Sequence, residues 1–136
     1  MPAVIDTCVA IFLSDGWPEI VSRIDDLDEA PVISTISRLE LEGGVYSDPA
    51  QQTIRRARLD VMLGSIASLP ITDDDVGAYG QIIATCGVSR PRRLDRMIAA
   101  QAITRGLRFI TMNGGDFSDI EAKTGLLLDV WPTPVL

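Results

Sequence analysis

The chain contains no histidine. That absence removes Ser-His-Asp and Cys-His nucleophilic schemes, and every imidazole metal ligand with them. Its only thiols are Cys8 and Cys86, too few for a disulfide framework and wrongly placed for a zinc cluster, so both are read as reduced. No apolar run approaches the roughly 20 residues that a membrane-spanning helix needs. Met1 to Ala10 also lacks the basic stretch that opens a secretory signal, and a cytoplasmic protein off the membrane is the expectation. Repeats, low-complexity tracts and linker-like stretches are missing as well. With 136 residues, of which 46% are hydrophobic, the sequence predicts one domain spanning 1–136 with a real core. Chemistry must then run on carboxylates, hydroxyls, amides and arginines.

Positive charge is in short supply too: the formal net charge is -7, which argues against uniform phosphate binding. The basic residues are unevenly placed, however, and all but Lys123 are arginines, whose planar fork suits phosphate. They gather as Arg55, Arg56 and Arg58, then Arg90, Arg92, Arg93 and Arg96, then Arg105 and Arg108. The first group reads equally well as a solvated helix face paired with acids. The second flanks Asp95, which makes Arg92, Arg93 and Arg96 candidate phosphate contacts. Much of the acidic excess lies in Asp25 to Glu29 and in Asp73-Asp74-Asp75, read as a solvated helix end and a helix N-terminus.

What the chain does have is alternation. Ala3 to Ile5 reads as a short buried strand, followed by a helical turn from Thr7 and a helix opening at Trp17-Pro18. Pro31 to Ser34 reads as a second strand and Thr35 to Tyr46 as a helix carrying Glu40. Ser47-Asp48-Pro49 opens a long helix predicted to reach Leu69, with Ile54, Leu59, Met62, Leu63 and Ile66 near a 3.6 period. Pro70 to Thr72 reads as extended, and Asp73 as the cap of a helix toward Cys86. A helix over 92–105 ends at Gly106 and passes into a strand over 107–111. Ser118 to Glu121 matches a capping box, which predicts a short helix to Lys123 before the strand Leu126 to Val130. Strand and helix alternating from end to end predict an α/β sandwich with a central, mainly parallel sheet flanked by helices.

Four carboxylates sit at the ends of hydrophobic runs: Asp6, Glu40, Asp95 and Asp116. In an alternating fold such positions can converge on one rim of the sheet. Two carboxylates about 5 Å apart repel by roughly 3 kcal/mol at an effective dielectric of about 20, so a cluster needs a cation, a proton or a basic group. Hard oxygen donors without imidazole or thiolate point to Mg²⁺ or Mn²⁺ rather than zinc, and phosphodiester hydrolysis is the natural reaction. Plainer readings exist for each residue. Asp6 can be a helix N-cap, Asp95 can solvate the start of its helix, Asp116 can serve turn geometry, and Glu42 rivals Glu40 from another helix face.

Three blocks carry a family resemblance: Val4 to Ile11 with Asp6-Thr7, Ser34 to Gly44 with Glu40, and Leu94 to Ala100 running into Gly106 to Phe117 with Thr111, Asn113 and Asp116. Together they resemble a PIN-domain protein, and within that family the VapC-type toxins of bacterial toxin-antitoxin pairs. The resemblance implies catalytic roles for Asp6, Glu40, Asp95 and Asp116, with Asp6, Asp95 and Asp116 holding Mg²⁺ or Mn²⁺ and Asn113 and Thr7 in support. It implies an endoribonuclease that hydrolyses RNA and binds a cognate VapB-like antitoxin; a homodimer is expected with it, and the arginine cluster beside Asp95 makes Arg92, Arg93 and Arg96 the expected RNA contacts. Two positions depart from the pattern: Cys8 stands where Asn or Ser is common, and Arg96 follows Asp95 where a small or acidic residue is usual. A catalytically inert PIN-like RNA-binding module is the alternative, disfavoured by the intact carboxylates. A phosphatase of the haloacid dehalogenase type would want a second Asp where Cys8 stands.

Overall fold

A computed structural model of the chain describes residues 1–135. Its elements follow in order as β1 (Val4–Ile5), α1 (Thr7–Ser14), α2 (Pro18–Asp25), β2 (Val32–Ser34) and α3 (Thr35–Tyr46). A single 3-10 turn (Pro49–Gln51) then leads into α4 (Gln52–Leu63), β3 (Ala67–Leu69), α5 (Asp73–Cys86) and α6 (Arg93–Arg105), with β4 (Arg108–Thr111), α7 (Gly114–Thr124) and β5 (Leu127–Val130) completing the chain. The strands form one sheet in the order β3-β2-β1-β4-β5, and every pairing is parallel. The predicted α/β sandwich is present, with a sheet that is parallel throughout.

The strands are short because both faces are covered, as parallel sheets require. Successive residues point to opposite sides. Val4 and Phe109 pack with Ile82, Ile98, Phe117 and Ile120, whereas Ile5 and Ile110 pack with Val9, Ile20, Ile33, Leu59 and Met62. β1 and β4 lie in register, Val4 against Phe109 and Ile5 against Ile110. The chain winds outward from β1 through β2 to β3 and then returns to β4 beside β1. That reversal opens a crevice at the carboxyl ends of β1 and β4, the place where open α/β sheets hold ligands.

Several local expectations are corrected. The helix predicted to reach Leu69 stops at Leu63, where the Gly64 amide caps it against the Asp60 and Val61 carbonyls. Residues 67–69 instead pair with β2, Ile33 opposite Ser68, because the open edge of β2 offers backbone partners that outweigh the weak local helical pattern of Gly64-Ser65-Ile66-Ala67. Most of the Ile54 to Ile66 stripe is core: Leu59, Met62 and Ile66 are buried, leaving Ile54 and Val61 exposed. The cap of α5 is Thr72, in a capping box with Asp75. Asp75 is buried rather than solvated and pairs with Arg105 at 2.8 Å. Helix α7 begins at Gly114, so Ser118 lies inside it and donates to the Gly115 carbonyl. Two glycines conceal that start from a propensity reading. Gly114 is required by space, since a Cβ there would lie 2.8 Å from Val130 Cγ2.

Candidate active site

Asp6 leaves β1 at its carboxyl end and is 3% exposed. Its amide donates to the Ile110 carbonyl of β4 at 2.8 Å, tying the residue to the strand crevice. The carboxylate accepts from the Thr7 amide at 2.8 Å and from the Thr111 hydroxyl at 2.7 Å. Burial pushes the Asp6 carboxyl above its ordinary value, opposed by the bonds from Thr111, Thr7 and Cys8 and reinforced by the charge of Asp116. The N-cap reading of Asp6 is therefore true as far as it goes, yet a cap alone explains neither the Thr111 bond nor the field of Asp116.

Glu40 enters from α3, the helix that follows β2. Thr7 Oγ1 lies 2.9 Å from Glu40 Oε1 and 2.8 Å from Ser37 Oγ. A carboxylate only accepts, so Thr7 donates to Glu40 and fixes one of its oxygens beside Asp6. The rival Glu42 faces elsewhere, bound to Arg56.

Asp95 sits in the first turn of α6 and Asp116 in the first turn of α7. The Asp95 carboxyl is pushed up to about 6, first by burial and then by the charges of Asp6, Glu40 and Asp116, with Arg92 pulling it back down. Asp95 thus lies within the field of the other three predicted carboxylates. Asp116 faces Arg92 at 3.5 Å. Asn113 is exposed, and it is its backbone N–H, not its side chain, that donates to Thr111 Oγ1 at 3.0 Å and orders the hydroxyl that holds Asp6.

The arginines divide. Arg92 is beside the carboxylates and Arg93 is exposed at the helix start. Arg96 is corrected: it is 3% exposed and its guanidinium is engaged by the Gly87 carbonyl and Asp119, which leaves no free face for phosphate. Cys8 approaches Asp6 Oδ2 at 3.6 Å, and burial together with the Asp6 charge pushes its thiol up to about 11, so it packs as a neutral thiol. Sequence reading missed Ser37 and Thr111 as supporting hydroxyls. Thr111 was visible only as the end of an apolar strand, and Ser37 carried no signal beyond its spacing three residues before Glu40.

The donor set fits a small hard cation. Among the described residues no three His, Cys, Asp or Glu side chains stand close enough together to hold a metal ion between them. Mg²⁺ does not call for a closed protein cage, because it keeps several waters and takes few direct carboxylates. Mutually repelling carboxylates with no histidine or thiolate donor match that demand better than they match zinc. Beside Thr7 and Glu40 opens a cavity of about 370 Å³ with Ile11, Leu41, Val45 and Leu59 in its wall and Arg55 at its rim.

Asp95 gives a stability test of this convergence. A carboxyl raised above its unfolded value holds its proton more tightly in the folded state. Stability therefore falls as pH rises from about 4 to about 6, and the loss is complete above that. Two pH units correspond to ~2.7 kcal/mol, reduced by solvent screening to about 1–2 kcal/mol. In urea unfolding with EDTA, Asp95→Asn is expected to exceed the parent by that amount at pH 7.5 and to match it at pH 4. No gain at pH 7.5 would mean that the Asp95 carboxyl is neither buried nor set among the other carboxylates.

The sequence matches the PIN domain family over residues 3–123. Among curated proteins, none matches it significantly by sequence. In shape the chain is similar to one chain of VapBC2 from Rickettsia felis, solved bound to a promoter DNA fragment, with a TM-score of 0.80 at 19% identity over 96% of this chain and 99% of that one. DNA-bound VapBC from Salmonella typhimurium gives a TM-score of 0.79 at 24% identity, covering 96% and 99% of the two chains. A toxin-antitoxin complex from Klebsiella pneumoniae gives 0.74 at 22%, covering 96% and 99%. These likenesses are of fold, while the family match over 3–123 takes in Asp6, Glu40, Asp95 and Asp116 together: the chain belongs to the PIN domain family.

Proposed function

We propose that the protein is a Mg²⁺- or Mn²⁺-dependent endoribonuclease and the toxin of a VapBC-like toxin-antitoxin pair, acting on RNA in the cytoplasm. What supports this reading is the PIN family match over residues 3–123, together with the Asp6 carboxylate held by Thr7 and Thr111 at the β1/β4 crevice and Glu40 held by the same Thr7. Asp6, Asp95 and Asp116 would hold the cation. When bound, it supplies charge neutralisation for a phosphoryl oxygen and acidifies water.

The remaining work belongs to the chain's own side chains. Thr111 and the Thr7 amide keep the Asp6 carboxylate aimed into the crevice. Glu40, oriented by Thr7, accepts the proton of the attacking water. Arg92, exposed enough to exchange Asp116 for a phosphate, and Arg93 beside it bind the RNA backbone. With water as the nucleophile, products with 5′-phosphate and 3′-hydroxyl ends follow.

The silencing partner is proposed to be a VapB-like antitoxin, supported by the toxin-antitoxin assemblies in which the similar folds were solved. A segment lying along the apolar wall of Ile11, Leu41 and Val45 would bring a cationic side chain to Glu40. A homodimer is part of the same reading. No helix is long and apolar enough to cross a membrane among the described residues.

The test is cleavage of a labelled structured RNA by purified protein. Cutting is expected with Mg²⁺ or Mn²⁺ and not after EDTA treatment. Equal cutting in EDTA would overturn the cation mechanism, and RNA bound but uncut under every condition would transfer support to the inert binding module.

A further inference from the structure

Arg96 is the charged member of the Leu94 to Ala100 block that the proposed chemistry does not use. Its side chain is 4% exposed. One guanidinium nitrogen donates to the Gly87 carbonyl at the end of α5, and another meets Asp119 of α7 at 3.2 Å. Its Nε is buried without a partner. Burying a charge whose bonds are incomplete is costly, and an apolar side chain of similar size would usually serve packing better. The gain must lie in what the fork joins.

It joins the pieces that carry the site. Asp95 precedes Arg96 by one residue on α6, and Asp116 precedes Asp119 by one helical turn on α7. The segment leaving Gly87 leads to Arg92, which faces Asp116. The charge of Arg96 is directed away from Asp95, toward Asp119 and the Gly87 carbonyl. The contribution of Arg96 is one of placement.

We propose that Arg96 is a positioning residue which, through Gly87 and Asp119, sets Asp95 of α6 against Asp116 of α7 and so fixes the affinity of the crevice for a divalent cation. The inference rests on the cation reading above and adds a residue to it. Groups that orient metal ligands typically change affinity by about 10- to 100-fold when removed.

The experiment is Mn²⁺ titration of the full chain by electron paramagnetic resonance, with melting temperatures recorded in parallel. Arg105→Met is the control, because it breaks another pair made by α6, with buried Asp75, at the opposite end of the helix. Arg96→Met is expected to weaken Mn²⁺ binding by about 10-fold or more while Arg105→Met stays within about two-fold of wild type at a comparable loss of melting temperature. Arg96→Lys keeps the charge but cannot span both acceptors, so it should also weaken binding, and it decides the question if Arg96→Met does not fold. Affinity unchanged in the Arg96 variants, or lowered equally in Arg105→Met, would overturn the positioning role. Absence of Mn²⁺ binding by wild type would overturn the cation reading and this inference with it.

Discussion

Asp6→Asn is expected to lower RNA cleavage by about 10³-fold, equivalent to ~4 kcal/mol of activation free energy, while leaving the fold in place. The substitution keeps volume and removes a charge that is expensive to bury, so the chain should not unfold for lack of it. Thr111 can rotate its hydroxyl to suit an amide, since a hydroxyl both donates and accepts. What is lost is the negative oxygen at the deepest point of the crevice, held there by Thr7 and Thr111. Cleavage rate and melting temperature are measured on the same preparations. A variant that cuts within about ten-fold of wild type, a difference of only ~1.4 kcal/mol, would remove Asp6 from the chemistry.

The second large effect is expected in cells. Expression of the wild-type chain without an antitoxin should arrest bacterial growth, because a turnover enzyme acting on RNA needs few copies to do harm. Asp6→Asn expressed to the same level should not, and co-expression of a cognate antitoxin should restore growth to the wild type. Colony counts after induction give the answer. Equal toxicity of wild type and Asp6→Asn would uncouple arrest from catalysis, and toxicity of neither would favour a non-catalytic RNA-binding role.

Asp6 and Asp95 stood out in the sequence because each adjoins an apolar run, and a charge beside a buried strand or at a helix start has few places to go; Asp116 stood out by its place shortly after the Phe109-Ile110-Thr111 run. Glu40 was separable from Glu42 only by family register, and the Glu42 pair with Arg56 supplies the physical reason. Ser37 was silent, and Thr111 marked the end of its strand without showing that its hydroxyl holds Asp6: a hydroxyl is equally at home in a strand, a cap or a site, and nothing local distinguishes these roles. Arg96 misled by adjacency. A helix turns by about 100° per residue, so the neighbour of a crevice-facing Asp95 points into the packing of α5 and α7. β3 was hidden for a different reason, since Ala67-Ser68-Leu69 has little strand character and is recruited by the open edge of β2. The alternation of strands and helices fixed the architecture because it depends on burial period, whereas the element ends depend on tertiary partners that no local window contains.

The central claim is that four carboxylates and a divalent cation direct water at an RNA phosphodiester. Its most direct test is the chemistry of the ends left by purified protein in Mn²⁺, read by mass spectrometry of a short RNA. Products with 5′-phosphate and 3′-hydroxyl ends are predicted; a cyclic phosphate with a 5′-hydroxyl end would contradict the account, because it would mean attack by the ribose hydroxyl in place of water.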